Sequence, residues 1–172
     1  MCATPRWQDA TARFSAQVLG PRFEQMCREF ALAALAGLFG ALPGEVGTGV
    51  VADPARRSQI EVDVVVFAPT VPGEPRRILS LGEAKWGDVL GARHVDRLRR
   101  ARDLLAGRGY DTRDTVLACY GAAGFDPDLS VPGDHVLGCR PGRAVRGDQG
   151  RVSASLASGS VQPMRSVALD CC

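Results

Sequence analysis

The apolar residues of this chain change their spacing from one segment to the next, and those changes mark out its elements. Across residues 10–40 they recur near helical intervals, from Phe23, Met26, Cys27 and Phe30 through Leu32, Leu35 and Leu38. Gly37, Gly40, Pro43 and Gly44 close this helix, and Pro21 can open a turn of it after Gly20. Residues 47–53 read as a short strand and residues 54–58 as a turn. Residues 60–67 are strongly β, with Val62, Val64 and Val66 expected on one face and Glu61, Asp63 and Val65 on the other. Pro69, Pro72, Gly73 and Pro75 make a loop, and residues 77–85 return as the hairpin partner. Gly87, Asp88 and Gly91 interrupt the chain before a second helix over about 89–106. On it Leu90, Leu98, Ala101 and Leu105 share one face and Arg93, Arg97 and Arg100 another. After Gly107 and Gly109, residues 115–120 read as a strand, and strand–helix–strand predicts a right-handed parallel crossover. Residues 135–139 form a last short strand. The order helix, strand, strand, strand, helix, strand is that of an α/β sandwich with a mixed sheet.

Composition sets the limits of this picture. The 172 residues make one domain, placed at 1–140, while residues 141–172 turn to Gly, Ser, Arg and Gln without periodicity and read as a disordered tail. A formal charge of +2 does not announce a nucleic-acid partner. The excess sits in residues 139–172, with five arginines against two aspartates, so any contact of the core with nucleic acid has to be a local patch. The six cysteines contain no C-x-x-C pair and only two histidines accompany them, which excludes a zinc site and suits a reducing cytoplasm. The opening residues lead us to expect no signal peptide, and no apolar run is long enough for a membrane span.

Lys85 stands out because it is the only lysine beside 20 arginines. Retaining it suggests a position that needs a compact ammonium, which guanidinium does not mimic. It lies in Leu79-Ser80-Leu81-Gly82-Glu83-Ala84-Lys85-Trp86. On a strand Glu83 and Lys85 project from the same face, roughly 7 Å apart, and a hairpin brings Asp63 beside Glu83. Close carboxylates call for a neutralising cation, and oxygen-only ligands suit Mg²⁺ or Mn²⁺. His94 is expected to be a satisfied, partly buried side chain and Trp86 a buried aromatic. Arg93, Arg97 and Arg100 form a stripe that can hold a phosphate backbone or simply be a solvated face.

Asp63, followed by Glu83-Ala84-Lys85 on the next strand and preceded by a helix bearing Glu24, resembles the PD-(D/E)XK nuclease superfamily. More narrowly, the chain is similar to the restriction-endonuclease-like domain of unknown function at the C-terminus of archaeal-type AAA+ ATPases. The shared pieces are Leu19-Gly20 with Phe23-Glu24, Glu61-Val62-Asp63, Gly82-Glu83-Ala84-Lys85-Trp86 and Gly124-Phe125, spanning about residues 18–130. Val62 stands where the superfamily usually has proline. The resemblance implies a three-layer core with a mixed central sheet flanked by helices, and Mg²⁺-dependent hydrolysis of DNA. It implies Asp63 and Glu83 as metal ligands, Lys85 as catalytic base or stabiliser, Glu24 as an accessory acid and Glu61 as a weaker one. It also implies an AAA+ ATPase partner, on another chain or as an N-terminal half. This chain has no phosphate-binding loop of its own, because its one lysine follows Ala84 rather than glycine. The alternative is a non-catalytic or regulatory module that keeps the nuclease fold while docking on an ATPase or sensing nucleic acid.

Overall fold

The computed structural model describes residues 11, 13–34, 36–129, 136–141 and 168–171. Its first helix is α1 (Gly20–Ala33), entered through a π-helical turn at Ser15–Leu19, with Pro21 in its first turn. The single long helix expected over residues 10–40 is broken at Ala34, whose backbone is extended, and resumes as the one-turn α2 (Ala36–Phe39). Among the described residues six strands follow with one long helix between them: β1 (Glu45–Asp53), β2 (Ser58–Phe67), β3 (Ile78–Lys85), α3 (Ala92–Ala106), β4 (Val116–Gly121), β5 (Val136–Pro141) and β6 (Ala168–Cys171). They form one mixed sheet in the order β1-β2-β3-β4-β5-β6. The first two pairings are antiparallel and the last three parallel.

Alternate residues of β4 sort the core into two layers. Leu117 and Cys119 join Val95, Leu98 and Ala101 of α3, while Ala118 and Tyr120 join Phe23, Cys27 and Ala31 of α1. Period-two alternation puts these clusters on opposite faces of the sheet. The molecule is therefore an α/β protein with helices on both faces of a mixed sheet.

The even alternation expected along residues 60–67 does not hold. Ile60 and Val62 lie in the α3-side core, yet so does Val65, while Val64 and Val66 lie in the α1-side core. The cause is a bulge. Gly47 pairs with Val65 and Gly49 with Val62, so Thr48 alone stands opposite both Asp63 and Val64. The extra residue reverses the face of everything after it. A second irregularity, where Val66 pairs with Ser80 but Phe67 with Ile78, does the same on β3.

Two boundaries differ from expectation for local reasons. Helix α3 begins at Ala92, because Gly91 is extended and serves as its N-cap. Residues 168–171, expected within a disordered tail, pair with β5 as β6. His135, residues 142–167 and Cys172 lie outside the described residues. Cys139 is disulfide-bonded, whereas Cys27 and Cys119 are free and buried.

Candidate functional site

Three side chains meet where β2 and β3 separate. The last β2–β3 pair before the gap is Val64 with Gly82. Beyond it the Ala84 N–H donates to Asp63 Oδ2 at 2.8 Å, so a carboxylate takes the place of a backbone partner. The bulge at Asp63 aims the side chain into that gap. Glu83 and Lys85, two residues apart on β3, converge as the strand spacing predicts. Lys85 Nζ lies 2.9 Å from Glu83 Oε1 and 3.7 Å from Asp63 Oδ2.

The surroundings differ between the two acids. Glu83 is wholly buried, and Asp63 retains 12% side-chain exposure. Arg97 Nη2 of α3 reaches Glu83 Oε2 at 2.6 Å and also donates to the Glu61 carbonyl at 3.0 Å. From the other face, Arg28 of α1 donates to the Asp63 carbonyl at 3.1 Å and lies 4.0 Å from Glu24. Among the described residues, the partner of Glu83 Oε1 is the Lys85 ammonium.

Electrostatics follow from this packing. Burial works to lower the Lys85 pKa, but contact with Glu83 and the charges of Glu83 and Asp63 outweigh it and hold the ammonium above its ordinary range. Glu24 is raised, first by burial and then by the negative charge of Asp63. Burial, then the adjacent charge of Glu83, pushes the Cys119 thiol up to about 12. His94 accepts the Gly91 N–H through Nδ1 at 3.0 Å, pinning the start of α3. Its pKa is lowered, mainly by burial and next by Arg93.

The sequence-derived candidates thus separate. Asp63, Glu83 and Lys85 are brought together. Glu24 stands at the edge of the cluster, within electrostatic reach of Asp63. The Glu61 side chain is exposed, and its carbonyl is what contacts the site. The arginine stripe divides. Arg97 is paired with Glu83, Arg100 binds the buried Asp53 through two nitrogens, and Arg93 is exposed with no ion pair among the described residues. Trp86, expected to be buried, is 41% exposed and meets Phe23 edge-to-face. Sequence reading missed Arg28 as a site neighbour and Arg97 as the partner of Glu83. The signal for Arg97 was its helical phase, shared with Arg93 and Arg100, on a helix that returns over β3.

Beside the cluster, α3 and the start of β2 enclose a cleft of about 620 Å³, lined by Arg56, Arg93, Arg97, Arg99 and Arg100 together with Asp53, Asp96 and Asp103. Asp63 and Glu83 are the oxygen donors that face one ammonium. Among the described residues no three His, Cys, Asp or Glu side chains gather into a metal-binding group. No helix among the described residues is long and apolar enough to cross a membrane. No protein-family model matches the chain, and no curated protein and no solved structure matches it.

Proposed function

We propose that this chain is a restriction-endonuclease-like domain with a PD-(D/E)XK-type site that hydrolyses phosphodiester bonds of DNA. The observation that carries this is the Lys85 ammonium facing the Glu83 and Asp63 carboxylates from 2.9 and 3.7 Å, beside an arginine-lined cleft. Two carboxylates from adjacent strands, one of them keeping some exposure, fit a hard cation that keeps most of its own water. Asp63 and Glu83 would hold Mg²⁺ or Mn²⁺ there, which supplies an acidified water and charge stabilisation at phosphorus.

The roles of the protein groups follow from their state. Lys85 is held as the ammonium by two acids, so it offsets negative charge on the phosphate rather than removing a proton at neutral pH. Exposed Arg93 and Arg56 offer the phosphate backbone positive charge along the cleft, which suits an extended polyanion better than a small neutral substrate. Trp86, exposed next to Lys85, offers an apolar flank to sugar or base. The test is DNA cleavage in Mg²⁺ or Mn²⁺ by wild type, Lys85→Ala and Asp63→Asn. Loss of cleavage in both variants, with the fold retained, supports the reading; equal activity in Lys85→Ala and wild type removes it.

One observation favours a second reading. Glu83 is sealed between Lys85 and Arg97, and its charge is already cancelled. A nuclease-like module that docks on an AAA+ ATPase or senses nucleic acid would keep such a cluster for its stability alone. Calorimetric titration with Mn²⁺ separates the two. Binding that disappears in Asp63→Asn favours the enzyme, and no binding at millimolar metal favours the module.

A further inference from the structure

We infer that Arg97 is an internal counter-ion of Glu83 that a divalent cation must displace, and that it thereby sets the metal affinity of the site. The inference rests on the metal-dependent reading above and adds a regulating residue to it.

The four charged groups share a confined place. Asp63 and Glu83 contribute two negative charges, and Lys85 and Arg97 two positive ones, so the four side chains are neutral together. Glu83 has no exposure to water that would screen an added charge. A divalent ion entering beside these carboxylates would meet two cations at close range, and that repulsion persists until one of them withdraws.

Arg97 is the one built to withdraw. Lys85 touches both carboxylates and comes from the same strand as Glu83. Arg97 comes from α3, and Glu83 is its only acidic partner among the described residues. Its other anchor is a neutral carbonyl, that of Glu61 at 3.0 Å. Its side chain is 42% exposed and lines the cleft that holds Arg56 and Arg93. Released from Glu83, the guanidinium has an open space to enter, where it adds to the positive charge available for a phosphate. Metal entry and phosphate binding are then coupled through a single side chain.

The experiment is a calorimetric Mn²⁺ titration of the full chain as wild type, Arg97→Gln and Arg97→Lys. Removing the competing charge should tighten Mn²⁺ binding in Arg97→Gln by about tenfold or more. Arg97→Lys, which keeps the charge, should stay within about threefold of wild type. Equal or weaker binding in Arg97→Gln overturns the inference. If wild type binds Mn²⁺, Asp63→Asn abolishes it and Arg97→Gln fails to tighten it, the nuclease reading survives and only the role of Arg97 falls. If neither wild type nor Arg97→Gln binds Mn²⁺, both fall. Thermal unfolding gives a second readout, because Mn²⁺ should raise the melting temperature of Arg97→Gln more than that of wild type. If Arg97→Gln is poorly folded, refolding from urea in Mn²⁺ or in chelator decides: recovery in Mn²⁺ alone supports the inference, and no recovery in either overturns it.

Discussion

The carboxylate of Asp63 accepts the backbone N–H of Ala84 at 2.8 Å, across the point where β2 and β3 part. A candidate site residue is thus also the closing bond of a hairpin, and its two roles can be separated. Asp63→Asn keeps an acceptor oxygen and should lose little stability while losing the charge. Asp63→Ala leaves a part-buried N–H without its partner and should cost about 1–3 kcal/mol. Urea denaturation of the two variants checks this; equal stability would mean that the bond carries no weight.

Glu83 and Lys85 should show an asymmetry. Truncating Glu83 to Ala removes the wholly buried carboxylate of the cluster and unpairs Arg97, whose 42% exposure lets water take up part of the charge, a loss of about 1–3 kcal/mol. Lys85→Met, at a partly exposed position, should cost less. Its cost should also depend on pH in a defined way. The Lys85 pKa is raised on folding, so its stabilisation is complete below the ordinary value of about 10.4 and is lost as pH rises through the higher folded value. The stability gap between Lys85→Met and wild type should therefore be constant from neutral to mildly alkaline pH and narrow only above that. Denaturation midpoints measured across that range test it.

At Glu24 it is the charged form that folding disfavours. Its carboxyl is raised by burial and by Asp63, so its ionisation opposes folding. Its stabilising contribution is present below the ordinary carboxylate range and is lost as pH rises through the raised folded value. Glu24→Gln should melt slightly higher than wild type at neutral pH, on the order of 1 °C for a partly exposed group. The difference should disappear in acid. A melting curve series on both proteins reads it directly.

Gly82 and Tyr120 give a pair of packing predictions. A Cβ on Gly82 would lie 2.7 Å from Tyr120 Cε2 and 3.1 Å from Val64 Cβ. Gly82→Ala should therefore destabilise by about 1–3 kcal/mol and shift Glu83 with it. The Tyr120 hydroxyl is buried with no hydrogen-bond partner among the described residues, so Tyr120→Phe should be neutral or stabilising by about 1 kcal/mol. Chemical denaturation should show a lowered midpoint for Gly82→Ala and an unchanged or raised one for Tyr120→Phe.

The main elements were legible because their patterns are strong. The β-branched run at residues 60–67, the proline-rich loop and the strand–helix–strand unit each have one physical solution, and β2, β3, α3 and β4 appear within a few residues of expectation. Glu83 and Lys85 were legible because strand spacing alone fixes their shared face. The bulge was not, since Glu-Val-Asp-Val-Val reads as even alternation until Thr48 is seen facing two residues. The pairing of Arg97 with Glu83 was equally hidden, because it depends on how α3 lies across the sheet. The pairing of residues 168–171 with β5 likewise comes from tertiary contact in a segment with no periodicity of its own.

The polar groups around Lys85 also run through the sheet from one layer to the other. Arg28 of α1 holds the Asp63 carbonyl, the Asp63 carboxylate stands near Lys85, Lys85 touches Glu83, and Glu83 is held by Arg97 of α3. Elsewhere the two faces meet the sheet through separate apolar cores. This polar seam works as a rivet, and whatever loosens it should be felt by both helices at once, as faster amide exchange in α1 and α3 together.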